Sequence, residues 1–382
     1  MHAYRRSTPN RRGWLAAAAM LPVLGLTAPP RAEAQSVQGR VVELPGGEAI
    51  AGALVSMVDT AGREVARGAT SASGGFNLTG RSAGRYHILI RQIGQQPWRS
   101  PVFALAAGVT YPVTFQVDAQ PYELPTLTVE ATRSRCGVRP GDQGVVGGLL
   151  EAADIALQLA RATADEGRLT FSTASYLKRY ARDLQVLDSV DAGVSRLASW
   201  PIESAPPESL EVWGFVRQPP PQEGAGSARA DAGPIYYAPD ARVLFSDWFL
   251  ASHCFRIHEA KAGDLLEVRF APERRGDRAE IDGRLVLDRR TMELQRLEFE
   301  YVGLPGWVPK GKAGGFVELR RLAEGAWVPR AWALRAPSAV RTRGSPWLRL
   351  GGWMETGGRV IAVRTRGGDL DSASTKGLLE PS

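Results

Sequence analysis

Apolar and polar positions alternate with a period of two over most of this chain, the pattern of strands that bury one face. In the first third the runs are short. Residues 37–42 read as one strand, and Ala53, Val55 and Met57 would share a face of the next. Asp59, Thr60, Ala61 and Gly62 supply a turn, 63–70 return as a strand, and 73–76 turn again. Tyr86, Ile88 and Ile90 alternate within 84–90, and 113–117 close the set. Turn signals roughly every 8–12 residues between such runs predict an antiparallel β-sandwich.

One long stretch follows the helical period instead. Leu149, Ala152, Ala153, Ala156, Leu159, Ala160 and Thr163 fall three and four apart ahead of Gly167, so a helix with one apolar face is predicted over 149–165. A short second helix is predicted over 246–252, leading into Cys254. Alternation resumes with Leu266, Val268 and Phe270, then Ile281, Leu285 and Leu287, then Leu297, Phe299 and Tyr301. It continues through Val317, Leu319, Trp332, Leu334, 347–353 and 360–363. Runs this close in sequence pair antiparallel, because parallel neighbours need a crossover of about a dozen residues or more. Arg296, Glu298 and Glu300 occupy the intervening positions, so the predicted meander has one apolar side and one side of Arg/Glu pairs.

Composition agrees. The 42 glycines and 26 prolines favour many strands and tight turns, and 44% hydrophobic content excludes wholesale disorder. The net charge of +7 suggests nucleic acid until its location is considered: residues 1–34 hold five arginines against Glu33, which leaves +3 on the rest. Nucleic acid is therefore not an expected partner.

The N-terminus reads as an address. Arg5, Arg6, Arg11 and Arg12 precede an apolar run over 14–27, and Ala32, Glu33 and Ala34 form an A-x-A cleavage site before Gln35. The run is broken by Pro22 and too short to span a bilayer, and nothing later is apolar for long enough. The expectation is a signal peptide over 1–34 and a mature chain without a transmembrane span, in the periplasm or against the outer membrane. Export by the Sec route is expected, although 10–15 also resemble a twin-arginine signal. The two cysteines, Cys136 and Cys254, are an even count in an exported chain and point to one disulfide, with two free buried thiols as the alternative.

The order Gly39-x-Val41, Ala53-x-Val55, Gly62, Gly75-Phe76, Gly84-x-Tyr86 and Gly94 resembles the carboxypeptidase regulatory-like domain over 36–118. Gln95 replaces the family's usual aromatic. The resemblance implies a seven-stranded-type, transthyretin-like sandwich that serves as a folding and interaction module. It implies no peptidase activity, because in peptidases with this module the zinc lies on another domain. Residues 119–148 read as a linker with one β-prone stretch over 123–131, similar to the segment after regulatory-like domains in TonB-dependent receptors. Within the α+β domain expected over 149–366, the stretches 236–240, 253–256, 270–272 and 282–288 and Leu294-x-x-Leu297-Glu298-Phe299 resemble an uncharacterised domain that follows regulatory-like domains in some bacterial envelope proteins. The expected architecture is similar to periplasmic lipoprotein carriers of the LolA type. The fold class is then mainly β, a sandwich followed by an α+β domain with a curved antiparallel sheet and one or two helices, and a flexible tail over 367–382.

Candidate chemistry is sparse. Gly80-Arg81-Ser82-Ala83-Gly84 fits G-x-S-x-G but sits between sandwich strands, where the nucleophile elbow of a hydrolase is not built. The histidines left after cleavage are His87, His253 and His258, and on a strand the last two point to opposite faces. Neither Asp240 with Asp247 nor Asp282 with Asp288 stands apart from turn residues. No catalytic residue, metal site or cofactor is expected. Trp327, Trp332, Trp347 and Trp353 crowd the last sheet, where they would either fill a core or line a groove for lipid or glycan. The leading expectation is a non-enzymatic envelope module that binds or scaffolds, with an envelope protein or an apolar or glycan ligand as its partner. The alternatives are a carrier holding an apolar ligand in the concave face of the second sheet and, last, a hydrolase with an unrecognised site.

Overall fold

The structure, a computed structural model, describes residues 35–80, 82–122, 135–142, 144–165, 169–197, 201–202, 204–218, 233–259, 264–274, 276–323, 325–341, 348–365 and 368–369. Trp347, the 123–131 stretch and the signal segment lie outside them.

The first body comprises β1 (Gln35–Glu43), β2 (Leu54–Asp59), β3 (Glu64–Ala69), β4 (Gly75–Gly80), β5 (Gly84–Arg91), β6 (Trp98–Arg99), β7 (Phe103–Leu105) and β8 (Thr110–Val117). One sheet runs β4-β1-β8; the other runs β3-β2-β5-β6, with β7 also on β5. Val37, Val41, Phe76 and Leu78 meet Val55, Met57, Ile88 and Ile90 in the core between them. β1 and β8 pair in parallel, a departure from the all-antiparallel expectation. They are the first and last strands of the body, so the rest of it serves as the long connection that a parallel pair requires.

The second body begins with β9 (Arg135–Cys136), α1 (Val145–Asp165), β10 (Leu169–Tyr180) and β11 (Val186–Leu197). Next come α2 (Pro207–Trp213), β12 (Val216–Arg217), β13 (Ile235–Tyr236), α3 (Ala241–Leu244) and α4 (Asp247–Ser252). The meander follows as β14 (His253–Glu259), β15 (Leu265–Pro272), β16 (Glu280–Asp288), β17 (Leu294–Val302), β18 (Gly314–Arg321), β19 (Trp327–Arg341), β20 (Leu348–Thr365) and β21 (Gly368–Asp369). The sheet order is β11-β10-β20-β19-β18-β17-β16-β15-β14-β9, with β21 on β20. The meander thus folds back so that its last long strand pairs with β10.

Cross-strand register explains the two faces. Ile257, Val268, Leu285, Leu297, Val317 and Trp332 stand opposite one another in successive strands, and all are buried. α1 lies across this apolar face, contacting β10, β14 to β17 and β19. Its other side meets β2 and β3 of the sandwich. β2 is accordingly buried on both faces: Val55 and Met57 belong to the sandwich core, while Leu54 joins the second core with Leu149, Leu150 and Ile155 of α1. The helix expected to show one apolar face is therefore buried nearly all round, Leu150, Ile155 and Leu157 included. Periodicity ranks the faces of a helix, and cannot reveal that a second domain covers the weaker one.

Two acids on α1 point at that second domain. Arg91, at the end of β5, places Nη1 2.8 Å from Asp154 Oδ2 and 3.5 Å from Glu151 Oε1, and its Nη2 donates to Gln158 Oε1 at 3.2 Å. Arg67 of β3 donates to the same Gln158 oxygen. A Cys136–Cys254 disulfide joins β9 to β14 across a sequence separation of 118 residues. Among the described residues no helix is long and apolar enough to cross a membrane.

Candidate functional site

With its apolar face covered, the large sheet presents its polar face. One residue along each strand from the buried row lies a second row: Arg269, Arg284, Glu298, Phe316 and Ala333, opposite one another in β15 to β19. Gly357 and Tyr176 extend it into β20 and β10. The charges interlock. Glu267 accepts from Arg269 Nε at 2.9 Å and from Arg284 Nη1 at 2.8 Å. Arg284 Nε donates to Glu298 at 2.7 Å, Arg296 Nε donates to the other Glu298 oxygen at 2.5 Å, and Arg296 also donates to Glu318. The Arg296 guanidinium lies 3.8 Å from the centre of the Phe316 ring. Glu267, Arg284, Glu298 and Arg296 are each held by two neighbours, so the lattice is fixed before any ligand arrives.

Over this lattice lies a groove of about 530 Å³. The sheet forms its floor, and Gly311, Lys312 and Ala313, from the connection between β17 and β18, form one wall. Five cationic side chains line it against four anionic ones, which leaves it close to neutral. At the β20 end, Glu355 accepts hydrogen bonds from the hydroxyls of Tyr176 and Tyr180, each at 3.1 Å. Burial foremost, and then the Glu355 charge, pushes both tyrosine pKa values above 10. Gly357 makes room for this: a Cβ there would stand 2.5 Å from the Tyr176 ring. Gly358 does the same on the opposite face for Trp332, at 2.6 Å.

Among the described residues, the tryptophans singled out in the sequence do not line the groove: Trp327, Trp332 and Trp353 are all buried in the second body's core cluster. Trp332 lies in the buried row, and Trp327, nearly inaccessible, belongs to the same core. Trp353 falls two residues from Glu355, on the sheet side opposite Trp332, and donates through Nε1 to Arg182 O at 3.2 Å. The residues that do line the groove, Phe316 and the Arg/Glu lattice, carried only the general signal of alternating charge.

Of the other candidates, Asp282 lies in the lining of the groove, and the rest are structural. Ser82 lies in the turn before β5, and its carbonyl accepts from the Tyr86 hydroxyl at 2.7 Å. Asp240 caps α3 at Val243 N, Asp247 pairs with Arg139, and Asp288 accepts from the backbone of Arg290 and Thr291. Among the described residues no three His, Cys, Asp or Glu side chains gather as metal ligands. β14 carries His253 and His258 at positions of opposite parity.

His253 is buried and stacked 3.7 Å from Phe249, with Nδ1 3.2 Å from Phe249 O. Burial, the largest influence, lowers its pKa from 6.5 to about 4, against the pull of the Phe249 carbonyl. The folded protein thus takes up this proton later than the unfolded chain does. Its contribution is complete above pH 6.5 and is lost as the pH falls towards 4, by about 3 kcal/mol in all. Urea unfolding at pH 7 and pH 4 is expected to show a smaller pH-dependent loss in His253→Gln than in the wild type; equal losses would contradict this assignment.

Two strand-built bodies clasping a helix define the class: a β-sandwich joined to an α+β domain. Residues 36–118 match the family model of the carboxypeptidase regulatory-like domain, and this segment is such a domain. No curated protein matches the chain. Among solved structures, the chain is similar to GBS52, the minor pilin of Streptococcus agalactiae, at 16% identity and a TM-score of 0.20, over 25% of this chain and 48% of the pilin. It thus spans about half the length of that relative. A DUF3823 family protein from Bacteroides ovatus is 7% identical over 63% of this chain and 91% of its own, with a TM-score of 0.17. A putative carbohydrate binding protein from Bacteroides uniformis is 9% identical over 71% and 99%, with a TM-score of 0.19. Likenesses at these scores carry no argument about ligand or activity.

Proposed function

We propose that this chain is an exported, non-enzymatic binding module of the cell envelope, and that the polar groove of its large sheet holds a neutral glycan. One observation carries the reading: five cations and four anions line the groove, close to neutrality, and Arg269, Arg284, Arg296, Glu298, Arg335 and Glu355 are already tied into ion pairs. A charged ligand would have to break such pairs, at a desolvation cost. A polyhydroxylated ligand donates to the carboxylates and accepts from the guanidiniums while every pair stays intact, and Phe316 offers a ring for the apolar side of a sugar. The carrier alternative has less support, because α1 covers the apolar face that a lipid would need. Export rests on the basic, apolar and A-x-A order of residues 1–34.

Affinity electrophoresis through gels containing neutral soluble polysaccharides tests this reading. The wild type is expected to be retarded by at least one polysaccharide, and Phe316→Ala to lose most of that retardation while keeping its unfolding midpoint. No retardation in any gel, or equal retardation of the variant, would overturn it.

A further inference from the structure

A second cavity, of about 570 Å³, lies where the regulatory-like domain meets α1 and α3. Its chemistry differs from that of the groove. Three arginines from three elements face it: Arg67 from β3, Arg161 from α1 and Arg242 from α3. Arg161 Nη1 and Arg242 Nε both reach the same oxygen of Asp240, each at 2.9 Å. The other Asp240 oxygen is spent on the α3 cap. The Asp240 side chain is only 3% exposed, whereas those of Arg161 and Arg242 are 33% and 46% exposed, so the carboxylate lies behind the arginines. Asp154, the one acidic residue in the lining, is likewise buried and is held by Arg91. Gln158 orients Arg67 from the helix side while Glu64 holds its Nε, so Arg67 presents its remaining N–H groups. The three arginines still outnumber the carboxylates Asp240 and Glu64 that hold them, and Phe245 adds an apolar wall. The cavity thus has positive ends directed inward and a fixed backing, the arrangement that favours a planar or tetrahedral anion.

We propose that this interdomain cavity binds a phosphate or carboxylate group, at a site independent of the glycan groove. A ligand there touches both domains at once, so its binding energy also holds the sandwich on α1. The proposal stands on its own observations and survives if the groove takes no glycan.

Calorimetric titration of the intact protein with inorganic pyrophosphate and, separately, with citrate tests it, alongside thermal unfolding. Saturable one-to-one binding of at least one anion is expected, weakening as salt rises and raising the unfolding temperature. Binding of pyrophosphate alone would identify phosphate as the group; binding of citrate alone, carboxylate. Arg242→Gln and Arg67→Gln should each weaken binding by about tenfold or more, and Arg242→Lys should retain part of it. Arg67 is half-exposed at the sandwich surface, so its variant remains decisive if Arg242→Gln fails to fold. Absence of saturable binding for both anions at millimolar concentration, or wild-type affinity in a folded glutamine variant, would overturn the proposal.

Discussion

Replacing Arg91 with methionine is expected to destabilise the protein by about 3–5 kcal/mol, the usual result of removing one side of a buried ion pair. The side chain is 13% exposed and faces two acids of α1, Glu151 and Asp154, which are 5% and 6% exposed. Without the guanidinium, two carboxylates stay buried side by side at the junction of the domains. Burial already raises the Glu151 pKa, and Arg91 is the main influence that opposes it. In the variant Glu151 therefore takes up a proton more readily, and the deficit should shrink as the pH falls through the carboxylate range. Adding Glu151→Gln and Asp154→Asn should restore most of the lost stability, because the amides need no counter-charge. Urea midpoints of the single and triple variants check both statements. A loss below about 1 kcal/mol for Arg91→Met would mean that the pair contributes no more than a surface contact.

Loss of the disulfide should cost a similar amount or more. Cys136 and Cys254 are 118 residues apart in sequence, and closing a loop of that length constrains the unfolded chain by about 5 kcal/mol in the chain-entropy model. The effect has a structural side too. β9 is only two residues long, and its pairing to β14 is limited to the Cys254 and Phe255 positions. The double variant Cys136→Ser, Cys254→Ser should unfold at markedly lower guanidinium concentration than the oxidised protein, and reductant should shift the wild type to the same midpoint. Insensitivity of the wild type to reductant would contradict a stabilising bridge.

Much of this architecture can be read from local pattern. Leu266, Val268 and Phe270 alternate because β15 buries one face, and the short loops between runs dictate antiparallel neighbours. The split between an apolar and an Arg/Glu side follows from the same alternation. Register across strands is not local. Trp332 stands opposite Gly358, five residues from Trp353 along an unbroken ladder, so the two tryptophans, grouped by proximity in sequence, end on opposite sides. The burial of α1 on both sides depends on Leu54 and Arg91, residues of the other domain that lie 60 residues or more upstream of their partners on the helix. The wall of the groove comes from a Gly- and Pro-bearing connection that carries no period at all.

The central claim is that the polar face of the large sheet is the working face and the apolar face is core. Hydrogen–deuterium exchange, with and without a polysaccharide that retards the protein, tests it most directly. The amides of residues 303–313, at the wall of the groove, are expected to slow on ligand addition, with α1 unchanged. Slowing confined to α1 or the strand rows it covers, with 303–313 unaffected, would contradict the account and return the ligand to the apolar face.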